Sequence, residues 1–456
     1  MEPARSASHW QRAFAAFRKH RLALLGGGIL AVFYLMAAFA GFFSPYDPNF
    51  YTLSPSFRYA PPTRVHFRDP ETGRLTRPFV YRLKKELDLE TFVERYTEDR
   101  SKRYPIYFLV RTPDQPYTLF KVFKSDLRLF GLGSEATREG ARLYLLGADN
   151  FGRDLFSRIV YGGQVSLTIG ILSVLLATLL GLLLGGLAGY YQGTRLALSL
   201  PLFRRDTWIG WRPARLAGLL LSLLFWLGLA IVFVLGVATL LEDGRLGFGG
   251  GLLTLLLSAG LLFSLAAAFV YRVSLDPDDL VMRLIEIIAA IPGLFLLITL
   301  RSAFPVTMDP LATFYMVVVI LAFIGWGGLA RTVRGMVLSI READYVTAAR
   351  AIGVSDLGII VRHVLPATAS YVIVSMTLGI PGFILAESGL SFLGLGIAEP
   401  YTSWGLLLKA AQDGGFASFA DRPWVLVPGF MIFLAVLAWN FVGDGLRDAL
   451  DPRRRK

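Results

Sequence analysis

Residues 347–366 read TAARAIGVSDLGIIVRHVLP. The stretch is compact, charged and helix-friendly. It lies between two apolar runs, Phe314–Ala330 and Ala369–Leu385, each long enough to be embedded in a bilayer. Upstream, Arg341 to Ile352 is rich in Ala, Glu and Arg, which favour helix. Tyr345, Ala348, Ala349 and Ile352 recur on one helical face. Gly353 tolerates the left-handed position that ends a helix, and Ser355-Asp356 can cap a second one. That second helix carries Leu357, Ile359, Ile360, Val361 and Val364, and Pro366 stands where the chain re-enters the bilayer. The expectation is two short helices meeting at a tight turn on the membrane surface. Two readings stay open on these residues alone. The hairpin packs on its own bundle, or its small residues (Ala348, Ala349, Ala351, Gly353) admit close approach by something else.

Composition supports the membrane setting. The chain has 456 residues, 54% of them hydrophobic, and a mean hydropathy of +0.53. A soluble globular chain is less apolar. With no cysteine, disulfides, thiolate metal sites and cysteine nucleophiles are excluded. The four histidines are scattered, which argues against a histidine-rich metal centre. The net charge of +12 does not indicate nucleic acid, because the basic residues crowd beside apolar runs. Eight such runs qualify or nearly qualify as spans: Leu22–Phe43, Val165–Tyr190, Leu216–Leu241, Gly251–Tyr271, Leu284–Leu300, Phe314–Ala330, Ala369–Leu385 and Val425–Val442. Glu286 and Pro292 interrupt the fifth. The first is longer than a signal-peptide core and reads as a retained anchor. With eight spans, the arginine-rich N-terminal tail, the segment after the second span, the loop at 331–362 and the tail Arg453-Arg454-Arg455-Lys456 share one side. The positive-inside rule makes that side cytoplasmic.

Residues 44–145 differ in composition, being rich in Pro, Tyr, Arg and Glu. A turn at Asp69–Gly73 between alternating runs predicts a hairpin, and Thr112–Pro116 predicts a second. Between them, KKELDLETFVERYTEDRSKR (84–103) reads as a solvated helix. The expectation is a small α+β extracytoplasmic domain that either docks a binding protein or is a stabilising insertion.

Three motifs in order narrow the function. The stretch 347–366 resembles the cytoplasmic coupling loop of ABC-importer permeases, whose pattern is Glu-Ala-Ala, three residues, Gly, and later Leu-Pro. Ala348, Ala349, Gly353, Leu365 and Pro366 match it, whereas Thr347 replaces the usual Glu and His363 a frequent Ile. LGADNFGRDLFSRIVYGGQVSLTIG (146–170) and LAESGLSFLGLGIAEPYTSWGLLL (385–408) resemble segments of dipeptide, oligopeptide and nickel permeases. The chain is similar to the second, C-type permease subunit of peptide importers. The resemblance implies an all-α polytopic type I importer core of six spans and an inserted pair here, hence about eight. It also implies a bacterial or archaeal cell (inner) membrane. The partners it implies are a second homologous permease, one or two cytoplasmic ATPases that hold ATP and Mg, an extracytoplasmic substrate-binding protein and the lipid bilayer. ATPase coupling would fall to Tyr345, Thr347, Ala348, Ala349, Gly353, Leu365 and Pro366. Peptides are the modal cargo of the subgroup and nickel the main alternative.

The division that follows is 1–43 (tail and first span), 44–145 (outer domain), 146–192 (start of the core), 193–277 (basic insert with the extra span pair), 278–450 (core, with the coupling loop at 341–366) and 451–456 (basic tail). No lysine follows a glycine, so the phosphate-binding Gly-x4-Gly-Lys-Ser/Thr loop is absent and the chain itself neither hydrolyses ATP nor binds a cofactor. An enzyme built on Asp149 and Asp154 lacks an accompanying base or metal ligand. A proton-coupled transporter needs acids deep in the bundle, and Glu286 alone lies well inside a counted span. Glu286 either lines a pathway or pairs with Arg283, and Glu387 either faces the pathway or orders its turn. Gly181, Gly185 and Gly189, four apart, make a close-packing helix face, for a partner permease or for internal packing.

Overall fold

A computed structural model describes residues 9–451 apart from 52–56, 71, 88–93, 120–121, 195, 199–272, 306–307, 414 and 416–420. The expected spans Leu216–Leu241 and Gly251–Tyr271 lie outside the described residues. In chain order the elements begin with α1 (His9–Phe17), α2 (Arg21–Ala38) and α3 (Ala40–Phe43). Strands follow: β1 (His66–Arg68), β2 (Leu75–Leu87), β3 (Glu94–Pro105), β4 (Tyr107–Arg111), β5 (Tyr117–Leu119), β6 (Phe123–Ser125) and β7 (Leu127–Gly131). Then come α4 (Ser134–Arg138), α5 (Leu155–Tyr190), β8 (Leu196–Leu198) and β9 (Val273–Leu275). The rest is helical: α6 (Pro277–Ala290), α7 (Gly293–Ser302), α8 (Pro310–Ile340), α9 (Asp344–Ala351), α10 (Asp356–Ile359), α11 (Ala369–Phe392), α12 (Trp404–Gln412) and α13 (Val427–Leu450).

Among the described residues, five helical runs are long and apolar enough to cross a membrane, and a sixth span arises if α6 and α7 count as one broken pair. The break falls at Ile291-Pro292, where proline cannot continue the donor ladder of the helix before it. The chain divides into two compact units, one of Met1–Gly181, Ala289–Leu329 and Ala367–Lys456, the other of Leu182–Ile288 and Ala330–Pro366.

In the first unit, helices α2, α5, α11, α12 and α13 share a core built on Ala37, Leu167, Ile384, Trp404 and Ala435. Small residues set the approach of α2 to α13. A Cβ on Gly26 would lie 2.5 Å from the carbonyl oxygen of Ala438. Gly162 and Gly163 seat the Trp404 ring, each leaving room for it at 3.3 Å from where a Cβ would stand. The Trp404 indole donates to the Ile159 carbonyl at 2.9 Å. A second cluster joins α5, α7, α8 and α11 through Ile169, Leu297, Val317, Leu321 and Leu390.

The β-rich region corrects two expectations. The hairpin at Asp69–Gly73 forms, with β1 antiparallel to β2 and Gly73 at φ +66°. The described residues within 84–103, however, do not form a solvated helix. They lie in β2 and β3, which pair antiparallel. Cross-strand partners such as Arg82 and Asp99, 2.9 Å apart, or Glu86 opposite Arg95, replace the helical i,i+4 charge pairs. Burial of Val80, Tyr81 and Leu83 anchors the strand, so tertiary packing overrides helix propensity. The strands flanking Thr112–Pro116 do not pair with each other, since β4 pairs with β7 and β5 with β6. Fully buried Arg128 explains the arrangement. It donates to the carbonyls of Gly41 (3.2 Å), Ser44 (2.7 Å) and Gln115 (2.8 Å), tying the turn to the end of α3.

Candidate functional site

The stretch 341–366 after α8 lies in the second unit. Helix α9 starts at Asp344 rather than Arg341, because α8 runs on to Ile340 and Ala343 takes an extended N-cap conformation. Its C-terminus is a Schellman motif. The Val354 amide donates to Ala349 and the Gly353 amide to Arg350, both at 3.1 Å, with Gly353 at φ +84°. The Ser355 hydroxyl accepts from the Gly358 amide at 3.3 Å and starts α10. Sequence therefore located the turn and both caps.

The second arm differs from expectation. It is not a separate short helix, since the helical run is continuous from Asp356 to Phe392. Between α10 and α11 the run widens to a π turn at Ile360–Val364 and tightens to a 3₁₀ turn at Leu365–Thr368. Pro366 supplies the reason: it offers no amide to the preceding turn, so the hydrogen-bond ladder changes period around it.

The hairpin has two faces. Val346, Ala349, Ile359, Ile360 and Val364 are buried. Tyr345, Ile352, Leu357 and Val361 are exposed, Ile352 by 82%. The expected single face is thus split, with Ala349 inward and Tyr345, Ala348 and Ile352 outward. Thr347 is exposed and its hydroxyl donates back to the Ala343 carbonyl at 3.3 Å. Leu365 is half-buried and Pro366 exposed. A Cβ on Gly186 would lie 3.0 Å from Leu365, so that side chain packs on α5. The glycine face of α5 is internal: Cβ atoms on Gly185 and Gly189 would lie 2.8 Å from the Ala330 Cα and from the Arg334 carbonyl oxygen of α8.

The motif at 146–170 forms a buried ionic clamp in the first unit. Asp149 accepts from the Arg153 amide (2.9 Å), Arg153 Nε (2.8 Å) and the Arg158 guanidinium. Arg158 also donates to Glu399 (2.7 Å) and Thr402 (3.3 Å), fastening the start of α5 to the segment between α11 and α12. The clamp was not assembled from sequence, although the acid–arginine spacing of DNFGRDLFSR was its visible half. Glu399 lies 241 residues from Arg158 and carried no local signal. Asp154 accepts from the Ser157 hydroxyl at 2.6 Å, and burial pushes its carboxyl up to about 7.

Glu387 is fully buried. It accepts from Ser391 (2.7 Å) and Ser166 (2.9 Å), whose oxygens in turn accept from the amides of Ile397 and Trp404, both at 3.2 Å. The carboxylate thereby orients the turn after α11. Glu286 is exposed and pairs with Arg283 at 2.6 Å.

Residues 260–456 match the sequence model of the binding-protein-dependent transport system inner membrane component. Residues 8–62 match that of the N-terminal transmembrane domain of oligopeptide transport permease C. The chain is 39% identical over 217 residues to the oligopeptide transport system permease protein OppC of Haemophilus influenzae, covering 46% of this chain and 67% of that protein. It is 32% identical over 312 residues to the dipeptide transport system permease protein DppC of Bacillus subtilis, covering 68% and 69%. With OppC of Escherichia coli the identity is 40% over 179 residues, covering 39% and 56%.

Proposed function

The chain belongs to the binding-protein-dependent transport inner membrane component family, and we propose that it forms half of a translocation pathway for short peptides. The family is one of ABC-importer permease subunits, not enzymes, and it works with ATPases and a substrate-binding protein. A second homologous permease completes the pore, and one or two cytoplasmic ATPases bind ATP and Mg. The binding protein delivers peptide from outside, where the β-rich region 44–145 stands as a small α+β extracytoplasmic domain. Both termini face the cytoplasm of a cell (inner) membrane, and the segment 193–277 adds a span pair to a core of six.

One observation carries the coupling role. The hairpin presents exposed apolar Tyr345, Ile352 and Leu357 around the left-handed Gly353, while its inner face is buried and the Gly353 turn and Ser355 cap are closed by hydrogen bonds. An apolar rim on a rigid, small-residue tip suits insertion into a cleft of an ATPase. Tyr345, Thr347, Ala348 and Gly353 make the outer surface of the tip, buried Ala349 packs beneath it, and Leu365 with Pro366 fixes how the second arm enters α11. Thr347, bonded to its own helix, gives no charged contact, so grip rests on shape. The test is uptake into proteoliposomes of the complete complex, with short peptides and nickel compared. ATP-dependent peptide accumulation is expected; accumulation of nickel and not peptide overturns the cargo assignment.

A further inference from the structure

The last residue of α5 touches both arms of the coupling hairpin. The Tyr190 hydroxyl donates to Asp356, at the start of α10, at 2.9 Å. Arg350, on α9, reaches the same hydroxyl at 3.5 Å and holds its guanidinium 5.7 Å from the Tyr190 ring centre. From the other side, Arg341 donates to the carbonyls of Gly189 (3.2 Å), Tyr190 (3.4 Å) and Gln192 (3.2 Å). These carbonyls lie at the end of α5 and in the turn just after it, where helix acceptors lack internal partners and a cation is favoured. Next to it, Tyr191 is pushed up to about 12 by burial and by the charge of Asp356. It therefore stays a phenol at physiological pH.

We propose that Tyr190 is a positioning residue for transport: it locks the coupling hairpin to α5, so that ATPase-driven displacement of the hairpin is carried along that helix. The proposal rests on the coupling role given to the hairpin. Its logic is mechanical. A hairpin held only through its covalent ends would pivot about the Arg341–Ala343 turn and about the irregular π and 3₁₀ turns at 360–368. Tyr190 bridges the two arms across Gly353 and removes that freedom. Helix α5 runs unbroken from Leu155 to Tyr190, so what moves Tyr190 moves the helix.

The test uses the complete reconstituted complex and three readouts: ATPase co-purification, ATP hydrolysis, and peptide taken up per ATP hydrolysed. Tyr190→Phe removes the hydroxyl and keeps the ring. It is expected to leave co-purification and hydrolysis near wild type and to lower uptake per ATP by about tenfold or more, the effect of one lost hydrogen bond to a charged group. Asp356→Ala should lower it similarly, and the double variant should be no worse than Asp356→Ala, because the two groups act as a pair. Unchanged uptake per ATP in Tyr190→Phe overturns the proposal. So does additive loss in the double variant, or loss of co-purification in Tyr190→Phe, which would place the residue in docking instead. Gly353→Trp separates the underlying reading: if it still co-purifies and drives uptake, the coupling role of the hairpin fails and not merely the role of Tyr190.

Discussion

Replacing Gly353 by alanine isolates the conformation of the coupling turn. Its φ is +84°, and nothing lies within 4 Å of where a Cβ would stand. Steric collision therefore contributes nothing, and the whole cost is backbone. An L-residue held in the left-handed region costs roughly 1–2 kcal/mol, which lowers the population of the competent turn about 5–30-fold. An ATPase that binds only that turn is weakened by the same factor. Gly353→Asn costs less, because asparagine visits this region more readily. Gly335→Ala is the control. It also meets nothing within 4 Å, but it sits inside α8, where alanine is favoured by about 1 kcal/mol. The assay is titration of purified ATPase against detergent-solubilised permease. Expected is weakening in the order Ala over Asn, with Gly335→Ala unaffected. Equal binding by wild type and Gly353→Ala refutes the reasoning, and equal losses for Asn and Ala assign the effect to side-chain bulk rather than to backbone.

Other positions give equally direct outcomes. Gly185→Ala should destabilise by about 2 kcal/mol through overpacking against Ala330, whereas Gly28→Ala on α2, with open space, should not; intrinsic tryptophan fluorescence on heating compares them. Glu387→Gln should be tolerated, but Glu387→Leu strips the acceptor from buried Ser166 and Ser391 and should cost about 2–3 kcal/mol in the same measurement. Asp154 has a folded pKa raised from 3.8 to about 7, so it binds a proton more tightly when folded. Its stabilising contribution is present below about pH 4 and is lost as pH rises through about 7; wild type should lose thermal stability across that window more than Asp154→Asn does. The Gly193 amide donates to Asp276 at 2.8 Å beside the β8–β9 pair, so the ends of the insert meet. Excision of 194–275 should leave a permease that still co-purifies with its ATPases, measured by affinity capture.

What sequence disclosed and what it missed differ by the range of the interactions. The Gly353 turn, the Ser355 cap, the broken fifth span at Pro292 and the glycine face of α5 are local devices, and each is legible within a few residues. The described strand residues within 84–103 were misread because their charges satisfy helical spacing as readily as cross-strand pairing, and burial of the preceding Val80 and Leu83 decides between them. Pro366 was read as the start of a new helix; the helical run instead continues through it, changing period to a π and then a 3₁₀ turn at 360–368. The clamp of Asp149, Arg153, Arg158 and Glu399 needed a partner from far along the chain. Tyr190 with Asp356 was invisible for the same reason, as they lie 166 residues apart.

The central claim, that the hairpin is the handle by which an ATPase works this pore, is tested most directly by a photo-cross-linker at Ile352, the most exposed large apolar residue of its tip. In the assembled complex the account predicts a cross-link to the ATPase subunit. The same probe at Leu75, exposed in the β-rich region, should give none. Cross-linking of Ile352 only to lipid or to the permease itself contradicts the account.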